Sequence, residues 1–142
     1  MSDTIELSIV IPAYNEAKRI GGTLDKISLY LSGKPFSSEI IVVDDGSSDD
    51  TYSILEGYKN KIPRLSIIRN KPNRGKGYSV KEGILQAKGA YIIFSDADMS
   101  TPIEETDKFM SAFEEGIALA IGSRHVAGAD IKVKQPLYRH LM

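Results

Sequence analysis

Short apolar runs recur along the chain, and a polar segment follows each of them. The five runs cover Leu7 to Ile11, Glu39 to Val43, Leu65 to Ile68, Ala90 to Phe94, and Ala118 to Ile121. They are rich in β-branched residues and do not alternate with polar residues, a pattern typical of strands that are covered on both faces. We therefore predict five buried strands.

Segments with helical spacing separate these predicted strands. Two of them place apolar residues on one helical stripe: Ile20, Leu24, Ile27 and Leu31 in the first, and Val80, Ile84 and Ala87 in the third. The sequence Thr101-Pro102-Ile103-Glu104 predicts the start of a further helix with Thr101 as its cap, and Gly116 predicts its end. Strands that alternate with helices predict an α/β fold, in which a mostly parallel sheet has helices on both faces.

Composition narrows the class of protein. The chain has 142 residues, so we predict one domain over residues 1–142. Its formal net charge of −1 argues against a nucleic-acid partner, which requires a basic surface. It contains no cysteine, which excludes disulfides and thiolate metal sites and fits a cytoplasmic protein. No apolar run approaches the roughly 20 residues that span a bilayer.

Polar side chains follow four of the predicted strands. They lie in the segments Pro12 to Glu16, Asp44 to Ser47, Ser95 to Asp98, and Gly122 to Arg124. Ligands of open parallel sheets bind outside the carboxyl ends of the strands. We therefore expect one ligand site built from these four segments.

Asp96 and Asp98 form the most informative pair in this set. They flank one alanine directly after a buried strand, where a turn can direct both carboxylates to one ion. Oxygen ligands favour Mg²⁺ or Mn²⁺, which keep positions open for phosphate. A carboxylate about 4 Å from a phosphate oxygen would be repelled by ~4 kcal/mol at an effective dielectric near 20, so a bound phosphate requires a cation. The alternative is that the pair caps the next helix, although Thr101 is predicted to fill that role.

The segments after the first two strands suggest a nucleoside pocket. Asp45 can accept a hydrogen bond from the imide N–H of a uracil ring, whereas Ser47 to Asp49 fit a turn that leads into a helix cap. Tyr14 offers an aromatic face, and Glu16 either contacts the ligand or favours a helix amino terminus. Both interpretations of Glu16 stay open.

One basic segment and one arginine are candidates for phosphate contacts. Asn73 to Gly77 precedes the third helix, where glycines let the backbone approach an anion, but the segment lacks the phosphate-loop pattern. Arg124 follows the fifth predicted strand and can clamp a phosphate with its planar guanidinium, unless it is an ordinary surface arginine. His125 and His140 have no partners at metal-ligand spacing, and we assign them no role.

Four motifs extend over nearly the whole chain: Ile9 to Glu16, Val42 to Ser47, Asn73 to Gly77, and Asp96 to Glu105. Together they resemble the family 2 glycosyltransferases of the GT-A (Rossmann-like) fold, and within that family the branch that transfers glucose to dolichyl or polyprenyl phosphate. Ser100-Thr101-Pro102 is similar to the glucosyl branch, because mannosyl-phosphate synthases usually carry Gln-His-Pro there. The resemblance favours UDP-glucose over GDP-mannose as donor.

The resemblance also implies roles for individual residues. Those implied to contact the nucleotide-sugar are Pro12, Ala13, Tyr14, Glu16, Val43, Asp45, Lys76, Asp96, Ala97, Asp98 and Ser100. The metal, Mg²⁺ or Mn²⁺, is implied on Asp96 and Asp98, and Arg124 is implied to face phosphate in catalysis. Arg139 is a second candidate for the acceptor phosphate. Relatives normally continue past Met142 on the acceptor side, so we expect this chain to be the first part of a longer catalytic domain with peripheral membrane contact.

The implied reaction is an inverting transfer of a hexose to a lipid phosphate. Such an acceptor is already ionised near neutral pH, since its second pKa is about 6, and needs no general base. A sugar-hydroxyl acceptor would need one. Two rival classes are a non-catalytic nucleotide-sugar-binding module and a phospho-acceptor receiver domain. The receiver is disfavoured because its acidic positions carry Pro12 and Asn70 here.

Overall fold

The computed structural model describes residues 4–122. Four strands alternate with three helices, and a short 3₁₀ turn at Ile103–Glu105 precedes a fourth helix. The elements are β1 (Leu7–Ala13), α1 (Ile20–Ser32), β2 (Ser38–Asp44), α2 (Thr51–Tyr58), β3 (Leu65–Arg69), α3 (Lys76–Gln86), β4 (Tyr91–Phe94) and α4 (Thr106–Glu114). Among these helices none is long and apolar enough to cross a membrane.

The strands form one parallel sheet in the order β3-β2-β1-β4. Leu7 at the start of β1 lies opposite Ser38 of β2 on one side and Tyr91 of β4 on the other. The two inner strands are almost wholly buried, as their continuous apolar runs predict. The prediction of an α/β fold with a parallel sheet is confirmed.

Helices cover both faces of the sheet, also as predicted. On one face, α1, α2 and α4 pack against a core that includes Leu7, Ile9, Leu24, Leu55 and Met110. On the other face, α3 packs against β1 and β2. The loops after β1 and β2 therefore emerge between two helical layers, at the carboxyl edge of the sheet.

The third helix is confirmed, but the face that it buries differs from the predicted stripe. Ser79 and Gly83 are its buried residues, whereas Ile84 is 40% exposed. A side-chain carbon added at Gly83 would lie 2.3 Å from Cγ1 of Val10. The helix lies so close to the sheet that small residues must face it, which an apolar-stripe argument does not detect.

The fifth predicted strand is wrong. Residues 118–121 are irregular, and Leu119 and Ile121 are 77% and 79% exposed. A strand forms only where a neighbour pairs with its backbone, and within residues 4–122 no strand pairs with the outer side of β4. An apolar run shows that a segment is rich in apolar residues, but it does not show whether a neighbouring strand pairs with it.

The predicted capping box at Thr101 is also wrong. Pro102 has an extended backbone (φ −57°, ψ 141°), so it lies outside the helix, and no side chain caps the 3₁₀ turn that follows. Pro102, which has no side-chain acceptor, therefore occupies the cap position that was predicted for Thr101. The predicted end is confirmed, because Gly116 follows α4 with φ 88° and donates its N–H to the carbonyl of Phe113.

Candidate active site

The loops after β1 and β2 are joined through Asn15. Its backbone is left-handed (φ 52°), a conformation that asparagine tolerates better than most residues. The backbone N–H of Asn15 donates to Ser47 Oγ at 2.9 Å, and its side-chain oxygen accepts from the backbone N–H of Ser48 at 2.9 Å. The two loops therefore fix each other.

A second set of bonds extends this joint towards α2. Thr51 Oγ1 accepts from the backbone N–H of Glu16 at 2.8 Å and donates to Asp49 Oδ1 at 2.5 Å. Asp49 Oδ2 accepts from the backbone N–H of Ala17 at 3.2 Å. Burial raises the pKa of Asp49, but the bonds from Thr51 and Ala17 outweigh it, so this pKa is lowered. Ser47, Ser48 and Asp49 thus act in the turn, as their sequence suggested.

Asp45 organises the loop after β3. Its Oδ1 accepts from Asn70 Nδ2 at 3.0 Å and from the backbone N–H of Arg74 at 3.0 Å, while its Oδ2 accepts from the backbone N–H of Gly75 at 2.7 Å. Burial is the largest influence on the pKa of Asp45 and raises it, but bonds from Arg74, Asn70, Gly75 and Ser79 together lower it below the ordinary value. Asp45 is therefore an ionised anchor for this loop.

The remaining residues predicted for the nucleoside differ in their exposure. Pro12, Ala13 and Val43 are buried at the strand ends, so they support the loops and present little side-chain surface. Tyr14 is 50% exposed, so its ring is accessible from solvent. The carboxylate of Glu16 pairs with Arg19 Nε at 2.7 Å, just before α1 begins.

Asp96 and Asp98 lie in a tight turn after β4. The backbone N–H of Met99 donates to the carbonyl of Asp96 at 3.1 Å, and Met99 itself is left-handed (φ 54°). Asp98 Oδ1 accepts from the backbone N–H of Ser100 at 2.9 Å, and Asp96 Oδ1 lies 2.5 Å from Lys76 Nζ. Asp98 thus closes its own turn and does not cap a helix.

Thr23 positions this turn, a role that the sequence analysis did not predict. Its hydroxyl donates to the carbonyl oxygen of Ala97, between the two aspartates, at 2.6 Å. Thr23 is 4% exposed and Ala97 is also 4% exposed, so water does not compete for this bond. Thr23 lies three residues after Ile20 on the buried side of α1. A polar residue on this otherwise apolar side is the sequence feature that could have indicated a buried hydrogen bond.

The carboxylates of the two aspartates are of the ligand type that suits a hard divalent cation, whose other ligands would come from water and a bound phosphate. Within residues 4–122 no cluster of three acidic or histidine side chains can enclose a metal. Mg²⁺ and Mn²⁺ do not need one, because they are held by one or two carboxylates together with waters and substrate phosphates. The ammonium of Lys76 on Asp96 shows that this carboxylate is accessible to a cation.

The predicted phosphate contacts are divided between described and undescribed parts of the chain. Lys76 is the first residue of α3, and Gly75 before it has φ 92°. The guanidinium of Arg74 lies 4.1 Å from the ring centre of Tyr78. The predictions for Arg124 and Arg139 lie outside the described residues, as do His125 and His140.

Solved glycosyltransferases share this fold. The fragment TarS 1-349 from S. aureus has a TM-score of 0.63 and 32% identity, over 79% of this chain and 33% of that chain. The same fragment in complex with UDP-GlcNAc also gives 0.63. Mannosyltransferase PcManGT from Pyrobaculum calidifontis, in complex with GDP-Man and Mn²⁺, gives 0.60 with 26% identity over 71% of this chain and 30% of that chain. The fold is that of GT-A glycosyltransferases.

The sequence comparisons agree with the fold. The profile of glycosyl transferase family 2 matches residues 8–141, so the chain belongs to that family. The chain is 36% identical to dolichyl-phosphate beta-glucosyltransferase of Dictyostelium discoideum, over 99% of this chain and 46% of that protein. It is 33% identical to dolichol-phosphate mannosyltransferase of Pyrococcus furiosus, over 97% of this chain and 38% of that protein. The chain spans about half the length of the curated relatives it matches.

Proposed function

We propose that this chain is the donor-binding part of an inverting hexosyltransferase that transfers glucose from UDP-glucose to a dolichyl or polyprenyl phosphate. The observation that carries the proposal is the Asp96–Asp98 turn, which is held by Thr23 at the carboxyl edge of the sheet and faces the β3–α3 loop through Lys76. The similarity to proteins named dolichyl-phosphate beta-glucosyltransferase supports glucose and the lipid phosphate.

Asp96 and Asp98 are proposed to hold the divalent cation together with the donor diphosphate. When bound, the cation supplies positive charge that stabilises the departing nucleoside diphosphate. Mn²⁺ in the similar mannosyltransferase structure supports a metal of this kind. Thr23 keeps the turn between the aspartates in place, and Ser100 fixes the carboxylate of Asp98 through its backbone N–H.

The nucleoside is proposed to lie over the loops after β1 and β2. Tyr14 offers an exposed ring for the base, above the buried Pro12, Ala13 and Val43. Asp45 Oδ2 accepts from the backbone N–H of Gly75, and a carboxylate oxygen can also accept a bond from a uracil imide. Bound UDP-GlcNAc in the similar TarS structure supports a uridine nucleotide.

Arg124 and Arg139 are proposed to contact the acceptor phosphate. An ionised phosphate oxygen attacks the anomeric carbon from the face opposite the diphosphate, and the bond from that carbon to the diphosphate breaks. The acceptor contributes an electron pair without losing a proton, so no general base is required.

A second candidate is a nucleotide-sugar-binding module without transfer activity. The observation that favours it is length, because the chain covers 46% of its Dictyostelium relative. A GDP-mannose donor is a variant of the first proposal, supported by the Pyrococcus relative.

A transfer assay separates these candidates. Labelled UDP-glucose and a polyprenyl phosphate are incubated with the chain and Mn²⁺, and label in the lipid phase is measured beside a matched GDP-mannose reaction. We expect lipid-linked glucose. Binding of UDP-glucose without transfer would favour the module, transfer of mannose alone would overturn the donor assignment, and a failure to bind either donor would overturn the proposal.

A further inference from the structure

Lys76 and Asp96 form an ion pair across two loops of the candidate site. Lys76 Nζ lies 2.5 Å from Asp96 Oδ1, and the two side chains are 60% and 40% exposed. An ion pair this exposed contributes little to stability. Its position is more informative, because the ammonium sits directly on a carboxylate that the proposed function assigns to the divalent cation.

The backbone from which Lys76 extends is held firmly. Asp45 accepts from the backbone N–H groups of Arg74 and Gly75, the two residues before it, at 3.0 and 2.7 Å. Lys76 then begins α3, whose next turns pack closely on β1 through Gly83. The side chain is long and mobile, but its origin beside Asp96 is fixed by these contacts.

We propose that Lys76 is an internal counter-ion that competes with the divalent cation for Asp96 and moves to the donor diphosphate when the nucleotide-sugar binds. The inference rests on the proposed function and deepens it. It makes Lys76 a positioning residue that couples the binding of metal and nucleotide.

The coupling follows from charge. A divalent cation and an ammonium cannot both occupy Asp96 Oδ1, and they repel each other at close range. Metal alone must therefore displace the lysine, which weakens its binding. A diphosphate brings negative charge that attracts the displaced ammonium and the metal together, so each of the two ligands strengthens the other, by an equal factor in both directions.

Titrations of Mn²⁺ alone, followed by the signal of free Mn²⁺, test this inference. Lys76→Met is compared with the wild type, with Lys76→Arg, which keeps the charge, and with Lys81→Met, an exposed lysine further along α3. We expect Lys76→Met to bind Mn²⁺ about fivefold more tightly, which is what loss of an exposed ion pair permits. Lys76→Arg and Lys81→Met should match the wild type.

The same proteins are then titrated with UDP at saturating Mn²⁺. Lys76→Met should bind UDP several-fold more weakly, so the factor by which metal and UDP strengthen each other falls. Unchanged or weaker Mn²⁺ binding by Lys76→Met, while the wild type still binds UDP in a metal-dependent way, overturns the counter-ion role alone. If none of the proteins binds Mn²⁺ even with UDP present, the proposed metal site is wrong and the counter-ion role falls with it.

Discussion

The loops on the two sides of β1 are built differently. On the β2 and β3 side, the loops are joined by side chains that bond to backbone groups of a neighbouring loop, with Asn15 and Asp45 at the centres. On the β4 side, the turn that carries Asp96 and Asp98 is joined to neighbouring elements by a buried hydrogen bond from Thr23, by an exposed ion pair with Lys76, and by packing of Ala97 and Met99 on the core.

The difference in construction matches the different tasks proposed for the two regions. The first region uses its polar groups on itself, which gives a rigid surface on which a nucleoside can bind at little entropic cost. The second region leaves its acidic groups accessible. Exposed apolar residues, including Phe94 (55%) and Leu119 (77%), lie before and after this turn in the sequence.

The largest expected effect is on nucleotide affinity, and it comes from a change on the β4 side that should leave the stability of the fold unchanged. Asp98→Asn should lower metal-dependent UDP affinity at least about 100-fold, since even changes behind the metal ligands cost up to that much. The thermal midpoint should stay within about 2 °C of the wild type, because Asn keeps the bond from the backbone N–H of Ser100. Calorimetric titration measures the affinity. Glu114→Gln, at an exposed carboxylate in the last turn of α4, is the control and should change neither quantity.

A larger side chain at Gly83 should disrupt the packing of α3 on the sheet. Gly83→Ala places a carbon 2.3 Å from Cγ1 of Val10 and forces α3 away from the sheet, at about 2 kcal/mol of unfolding free energy. Gly22→Ala in α1 is the matched control, because its added carbon meets nothing within 4 Å and should stabilise the helix by about 0.5–1 kcal/mol. Urea denaturation measures both. Equal effects at the two glycines would contradict the close packing of α3.

Asp45→Asn should loosen the loop after β3 and change the response to acid. An asparagine offers one acceptor oxygen where the carboxylate serves Asn70, Arg74 and Gly75, so about 1.5 kcal/mol of stability should be lost at pH 7.

The pH dependence follows from the lowered pKa of Asp45. Its contribution is fully present above the unfolded-state pKa of about 3.9 and is lost as the pH falls through the lower folded-state value. The wild type should therefore lose more stability than Asp45→Asn between pH 5 and strongly acidic solution, as followed by urea denaturation at each pH. Parallel losses would show that Asp45 is not the ionised anchor.

The smallest effect should come from loss of the buried hydrogen bond between Thr23 and the turn that carries Asp96 and Asp98. Thr23→Val keeps the shape of the side chain but leaves the carbonyl of Ala97 without its donor, at about 1 kcal/mol of stability. Metal-dependent UDP affinity should fall about tenfold, the lower range for groups behind the metal ligands. Thr23→Ser, which restores the hydroxyl, should recover the affinity. Loss of stability without loss of affinity would assign Thr23 to the core alone.

The sequence predicted the elements that depend on local pattern. Continuous β-branched runs identified β1 to β4, and four motifs taken together, among them the one around Asp96 and Asp98, identified the family. Predictions that depend on distant partners were less successful. The run at 118–121 has no strand to pair with in the described part of the chain, and the close approach of α3 selects Ser79 and Gly83 over the apolar stripe.

The site shows the same limit. A carboxylate after a strand could be recognised as polar chemistry, but its partners could not, because Asn70 and Gly75 follow β3 and lie near Asp45 only when β2 and β3 are paired. Thr23 is separated by 74 positions from the carbonyl that it binds, and no local pattern connects them. Which residues serve a ligand and which serve neighbouring loops is decided by tertiary contacts.

The central claim is that a divalent cation on Asp96 and Asp98 carries the donor diphosphate. Calorimetric titration of UDP-glucose into the chain with Mn²⁺, repeated after a chelator is added, tests it most directly. We predict saturable binding that weakens at least about tenfold on chelation, since without the cation the carboxylates repel the diphosphate. Binding of equal strength before and after chelation would contradict the account.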